Sequence, residues 1–394
     1  MGTSASIDGS TTLAQQTEIK KRIASIDVLR GIVMVIMLMD HVRERIYLHM
    51  QVSDPMDVST TSPELFFTRL AAHLCAPVFV FLTGLSAWLY SHPANGKTRS
   101  ATDFLLKRGL FLVFIEVAVI NFAWMGEYHT LWLQVMWAIG LSMITLAFMV
   151  KLPFRVIGAI GFIIVFGHNL LTPITFAPNE FGYSLWTILH DRNFLVAEGP
   201  IKVKISYPVL PWIGVIALGY FAGPIYASSY SGERRKSQLI QLALACLTLL
   251  LVIRGFNIYG ETLPWQMYDS TIMSVMSFLN YTKYPPSLDF LLLTLGIAFL
   301  LLVWLEPRKN KLLDALEVYG SAPMFFYILH LYALLVIYQI LIAIFGANQG
   351  SLYGVDDFYW VWIGTVTLAI VLYFPTKRFA KFKHTSLNPL WRYL

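Results

Sequence analysis

Long apolar runs, separated by short charged connections, dominate this chain. Ten of them are about 17 to 25 residues long, the length a helix needs to cross a hydrocarbon layer. They lie near 24–46, 68–90, 104–125, 130–150, 154–171, 207–227, 238–256, 288–305, 320–344 and 358–375. The pattern predicts an all-α protein, a polytopic transmembrane helix bundle of about ten spans. Ahead of it, residues 1–22 are polar and Ser/Thr-rich with no apolar stretch, which predicts a disordered tail rather than a secretory signal peptide. Residues 23–394 then read as a single membrane domain without internal repeats.

The connections alternate in charge. Lys97, Arg99, Lys107 and Arg108 form one basic group; Lys151 and Arg155, then Arg234, Arg235 and Lys236, then Arg308, Lys309 and Lys311 form the next three. Lys377, Arg378, Lys381 and Lys383 follow the last run. An even number of spans puts all of these on one side together with the N-terminus and the C-terminus, and the positive-inside rule makes that side cytoplasmic. The long connections, roughly 47–67, 172–206 and 257–287, then face outward. Within the last, YDSTIMSVMSFL is apolar but short, as a re-entrant or interfacial helix would be. The segment before the sixth span, EGPIKVKISYPVLPW, alternates briefly and then turns to prolines.

Composition agrees with a membrane protein. Of 394 residues, 57% are hydrophobic and only 13% charged, against about 25% charged in soluble domains; the mean hydropathy is +0.61. The net charge of +6 therefore belongs to topology and does not indicate a nucleic-acid partner. Cys75 and Cys246 both sit in apolar runs, so neither a disulfide framework nor a metal site is expected. The expected location is the cell (inner) membrane, with the lipid bilayer as partner; a homo-oligomer is left open.

Candidate chemistry sits where ionisable groups interrupt the apolar runs, since each costs several kcal/mol in lipid unless it is paired or wet. In the first span, Asp27, Arg30, Met34, Met37 and His41 follow a 3-4-3-4 spacing and form one stripe. Arg30 and His41 are eleven positions apart, about 16 Å along a helix axis. Asp27 and Arg30 can pair with each other, or the arginine fork can meet a phosphate. His41 can take and return a proton, or simply hydrogen-bond at the interface. Asp40 is expected to point away from the stripe. Glu116, mid-span, has an expected depth close to that of Arg30, which makes a pair with it plausible. Arg69 and His73 open the second span, and Pro77 loosens it. His168 and Asn169 close the fifth span, Arg254 and Asn257 the seventh, while Lys283 and Tyr284 lead into the eighth. His330 lies mid-span with Tyr327 one turn before it, an arrangement as suited to bundle packing as to chemistry. His41, His73, His168, Arg254 and Lys283 share one expected depth, which suggests a pocket opening outward.

At this point several stretches resemble the transmembrane acyltransferase superfamily. RIASIDVLRGIVMVIMLMDH is similar to its first span, and an arginine, ten residues and a histidine resemble the motif of its O-acyltransferase branch, here Arg30 and His41. AHLCAPVFVFLTG, YPVLPWIGVIALGYFAG, RGFNIYG, KYPPSLDFLLLTLG and APMFFYILH resemble bacterial members of the heparan-alpha-glucosaminide N-acetyltransferase-like branch. The resemblance covers nearly all of the chain after residue 20.

It implies acyl transfer across a membrane from acetyl-CoA, or another acyl-CoA, to an amine or hydroxyl of an extracytoplasmic acceptor such as a glycan or glycolipid, with no metal. By similarity Arg30 contacts the donor and His41 acts in catalysis. The heparan enzyme departs from this chain in having asparagine at the place of His41, aspartate at the place of His73, and its proposed catalytic histidine in the loop after the first span. This chain has no histidine between His49 and His73. The assignment is then catalytic roles for His41 and His73; donor contacts for Asp27, Arg30, Met34, Met37 and Glu116; and acceptor contacts for Arg69, His168, Asn169, Arg254, Asn257, Lys283, Tyr284 and His330. Direct transfer and an acyl-histidine route both stay open. A secondary transporter would move its solute intact without consuming a thioester, and a membrane scaffold would bind no CoA.

Overall fold

The computed structural model describes residues 8–94, 96, 98–388 and 391, without the side chains of residues 8–23 and His384. Residues 1–7 of the expected tail, and Lys97 of the first basic group, lie outside the described residues. The helices, in order, are α1 (Asp8–Ile46), α2 (Pro63–Ala72), α3 (Cys75–Ser91), α4 (Thr102–Ile115), α5 (Asn121–Met125), α6 (Val135–Met149), α7 (Phe154–Gly167) and α8 (Tyr183–Leu189). They continue with α9 (Leu210–Phe221), α10 (Gly232–Gly255), α11 (Thr271–Phe278), α12 (Leu288–Leu305), α13 (Lys311–Ser321), α14 (Pro323–Phe345) and α15 (Tyr359–Thr385).

Among the described residues, six helices are long and apolar enough to cross a membrane: Pro63–Ser91, Phe154–Leu171, Gly232–Gly255, Leu288–Leu305, Pro323–Phe345 and Tyr359–Lys383. The other four expected spans coincide with helices that are shorter or more polar. α1 carries the charged stripe. The run at 104–125 is α4 and α5 joined by a π-helical turn, Glu116–Ile120. The runs at 130–150 and 207–227 contain the shorter apolar helices α6 and α9.

Local chemistry sets these boundaries. Pro77 has no N–H for the carbonyl of His73, and the helix is interrupted at His73 and Leu74, between α2 and α3. Ala322, at φ −133° and ψ 54°, separates α13 from α14, whose first residue is Pro323; the ninth span thus starts there and not at 320. The first four residues of the expected fourth span form strand β1 (Thr130–Leu133). Strand β2 (Phe194–Val196) and strand β3 (Lys202–Ile205), the alternating piece before the prolines, complete a small sheet in the order β1-β3-β2. β1 and β3 run parallel, Thr130 opposite Lys202, and β2 joins β3 antiparallel.

Glycines let the central helices meet backbone to backbone, as small residues do in membrane bundles. A Cβ on Gly31 of α1 would fall 1.8 Å from the carbonyl oxygen of Leu316, and one on Gly320 of α13 would fall 1.7 Å from that of Asp27. Gly84 and Gly219 join α3 to α9 in the same way, at 2.0 Å from Ile216 O and 2.1 Å from Phe81 O. α1 is therefore held inside the bundle, with Leu29, Val33, Met34 and Leu38 buried. Two buried arginines are paired with carboxylates: Arg43 with Asp40 at 2.9 Å, and Arg235 of α10 with Glu306 beyond α12.

Candidate functional site

The stripe of α1 borders two cavities in succession. Asp27, Arg30 and Met34 line an inner cavity of about 300 Å³. Met37, Asp40 and His41 line an outer chamber of about 50 Å³. Phe79, Met136 and Tyr327 line both. The two cavities thus adjoin along α1 and share these three walls.

The inner cavity has a cationic end. The Arg30 guanidinium donates to Asp27 Oδ1 at 2.7 Å and to Ser86 Oγ at 2.5 Å, and the Ser86 hydroxyl in turn donates to Leu82 O. Arg108 and Lys383 line the same cavity, with the Lys383 ammonium donating to Ser321 O at 3.3 Å. The sequence marked these two lysine and arginine residues only as topology charges. The walls further in are Met34, Phe79, Leu112, Met136 and Met143, apolar and adaptable.

The outer chamber is built around His41. Its Nδ1 lies 2.7 Å from Nε2 of His330, whose own Nδ1 lies 2.8 Å from the carbonyl oxygen of Phe326. Trp124 meets the His41 ring edge-on, with centroids 4.9 Å apart, and Tyr327 does so at 5.8 Å. Lys283, Tyr284, Tyr207 and, one turn on along α1, Glu44 also line the chamber. The Tyr284 hydroxyl donates to that of Tyr207 at 3.2 Å.

Asp54 fixes the Lys283 segment by accepting the backbone N–H groups of Lys283 (3.1 Å) and Tyr284 (2.9 Å). Burial pushes the Asp54 carboxyl above the usual carboxylate range, against the pull of Arg69 and Lys283. Burial works to lower the Lys283 ammonium, but the Tyr284 ring and the Asp40 carboxylate outweigh it and the net direction is upward. Lys283 and His41 line the same chamber.

Asp40 lines the chamber rather than pointing away from it. Three residues on from Met37 is a rotation of only −60°, so Asp40 stands on the flank of the same stripe. Glu116 is not an Arg30 partner in this arrangement. Its Oε2 accepts the N–H groups of Met136 and Trp137 at 3.0 and 3.2 Å, capping α6 where Met136 lines both cavities.

The remaining expected residues stand away from the chamber lining. His73 is buried against Phe290, with ring centroids 5.0 Å apart, and its ring nitrogens have no hydrogen-bond partner. Arg69 is buried, within electrostatic range of Asp40, Asp54 and Glu44. His168 is buried beside His190, whose Nε2 lies 3.0 Å from its carbonyl oxygen. Asn169 accepts the N–H of Leu288 at 3.0 Å, at the start of α12. Arg254 donates to four carbonyls, of Leu263, Ser277, Phe278 and Asn280, and so fastens the long loop. Asn257, at φ 49°, is bonded through both side-chain atoms to the backbone of Trp265. Of the expected set the structure unites Asp27, Arg30, Met34 and Met37 with His41, Lys283, Tyr284 and His330. It adds Ser86, Tyr207 and Trp124, hydroxyl and aromatic groups that no spacing in the sequence singles out.

Among the described residues, six helices of spanning length around two buried cavities define a multi-pass membrane protein. The family model described as heparan-alpha-glucosaminide N-acetyltransferase, catalytic, matches residues 22–259, more than half of the chain, and the protein belongs to that family. Membership implies an acetyltransferase. No curated protein matches the chain. Among the described residues, no group of three or more His, Cys, Asp or Glu side chains is placed to hold a metal ion.

Proposed function

We propose that this protein is a membrane acyltransferase that moves an acyl group, acetyl above all, from cytoplasmic acyl-CoA to an amine or hydroxyl of an extracytoplasmic acceptor, a glycan or glycolipid. The reading takes the bundle as ten spans in the inner membrane with both termini cytoplasmic. One observation carries it: Arg30 and His41 line two adjoining cavities along one helix, which share Phe79, Met136 and Tyr327. The inner cavity suits the donor. Arg30, Arg108 and Lys383 offer cations to a polyanionic nucleotide, and the methionine-lined wall suits the slender arm that carries the thioester.

In the outer chamber His41 Nε2 takes the proton of the acceptor amine or hydroxyl as that atom bonds to the acyl carbon. Lys283 and Tyr284 face the negative charge that develops on the carbonyl oxygen. The carbon–sulfur bond breaks, and His41 returns its proton to the departing thiolate. Asp40, held by Arg43, keeps a carboxylate beside the histidine.

Turnover of labelled acetyl-CoA in detergent tests this reading. His41→Ala should lower kcat by at least about 10²-fold while CoA still protects the protein against heat; undiminished turnover would overturn it. Arg30→Ala should mainly raise the donor KM. A normal KM with a collapsed kcat would contradict a positioning role for that side chain.

A further inference from the structure

We infer that His330 is the positioning residue that makes His41 a base, by fixing which of its ring nitrogens carries the proton; this rests on the acyl-transfer reading above. The argument starts from an atom that can only accept. The carbonyl of Phe326 has no proton, so His330 Nδ1, 2.8 Å from it, must be the donor. A neutral His330 then has an unprotonated Nε2. That nitrogen lies 2.7 Å from His41 Nδ1, so the proton between the rings belongs to His41 Nδ1. His41 Nε2 is left with its lone pair, on a ring that lines the outer chamber.

Both rings are fixed in place. His330 is 0% exposed and His41 9%, and Trp124, Tyr327 and Phe326 pack on them at centroid distances of 4.9 to 5.8 Å. The rings lie near parallel, 18° between planes. A flip of either buried ring would abandon a hydrogen bond, so the chain Phe326 O, His330, His41 has one stable polarity.

When His41 gains a proton at Nε2, its Nδ1–H bond to His330 becomes charge-assisted and strengthens. His330 thus plays the part that a carboxylate plays in a hydrolytic triad, but with no charge of its own. The difference suits a span, since a carboxylate in that place would be a buried charge already at rest, whereas this pair is neutral until the proton arrives.

The test uses two replacements of different chemistry. Glutamine can offer its amide oxygen where His330 has Nε2; leucine fills the space and accepts nothing. His330→Gln should keep kcat within about tenfold of the parent, while His330→Leu should lower it by at least about 10²-fold, each with an unchanged donor KM and unchanged heat protection by CoA. Nitrogen NMR of 15N-histidine-labelled protein reads the tautomer directly, the His41 signals being identified by their absence in His41→Ala. The parent and His330→Gln should show His41 protonated at Nδ1 and bare at Nε2. A His330→Leu enzyme with full kcat, or a His41 ring bare at Nδ1 in the parent, would overturn the inference. Absent turnover by the parent with every acyl-CoA tried would instead sink the acyl-transfer reading, while the NMR signature still decides the tautomer.

Discussion

A histidine inside a span is costly until its nitrogens find partners, and the partner decides what it can do. His41 has His330 at 2.7 Å; His73, as deeply buried, has none for either nitrogen. The first is bonded ring to ring and lines a chamber; the second is packed on Phe290 and lines neither cavity. Lys283 is the other residue whose position changes its meaning. In the sequence it is one cation of several at a shared depth. In the fold it lines the chamber with His41, its ammonium 5.2 Å from the Tyr284 ring, and Arg254 is taken up by four loop carbonyls. Lys283→Met should therefore lower kcat by roughly 10²- to 10³-fold, as loss of an oxyanion donor does, with little change in heat stability. Arg254→Ala should do the reverse, destabilising the loop 257–287. A Lys283→Met enzyme with normal kcat would remove this residue from the reaction.

Spacing and punctuation explain most of the elements. The 3-4-3-4 stripe on α1 follows from helical geometry alone, and the structure strings its members along the two cavities in chain order. Pro77 and Pro323 mark helix boundaries because neither has an N–H to give. Other boundaries depend on a distant partner. The π-helical turn at Glu116–Ile120 places a carboxylate over the N-terminus of α6, whose own preceding residue, Gln134, provides no side-chain cap. Nothing in the local sequence marks that pairing, so Glu116 reads as an isolated mid-span acid awaiting a cation. The glycine crossings are likewise invisible until the helices are packed. Gly320→Val would drive a side chain into the carbonyl of Asp27 and separate α13 from α1. It should cost at least about 1–3 kcal/mol, the usual scale of overpacking, seen as a lowered Tm in detergent together with a raised donor KM, since Gly320 and Asp27 both line the inner cavity. An unchanged Tm would show that the two backbones can part freely.

For the whole molecule the central expectation concerns sidedness. Single cysteines placed in the basic connections, at Arg155 and Arg234, should resist an impermeant thiol reagent added to intact cells, and single cysteines in the connections at 172–206 and 257–287 should react. Labelling of both sets from outside would break the ten-span arrangement. The family match ends at residue 259, whereas Lys283, Tyr284, Tyr327 and His330 lie beyond it. The chamber around His41 thus joins α1, inside the matched region, to a later half that the match does not reach. The sequence by itself determined the membrane class, the apolar runs, the basic alternation and the polar stripe from Arg30 to His41, because hydropathy, charge and helical period are local properties that need no partner. Only the tertiary structure decided which of five outer-depth cations and histidines meet, that Glu116 caps a helix, and that His330 stands behind His41. Those facts depend on rotation and approach between helices far apart in the chain, and a shared depth fixes neither.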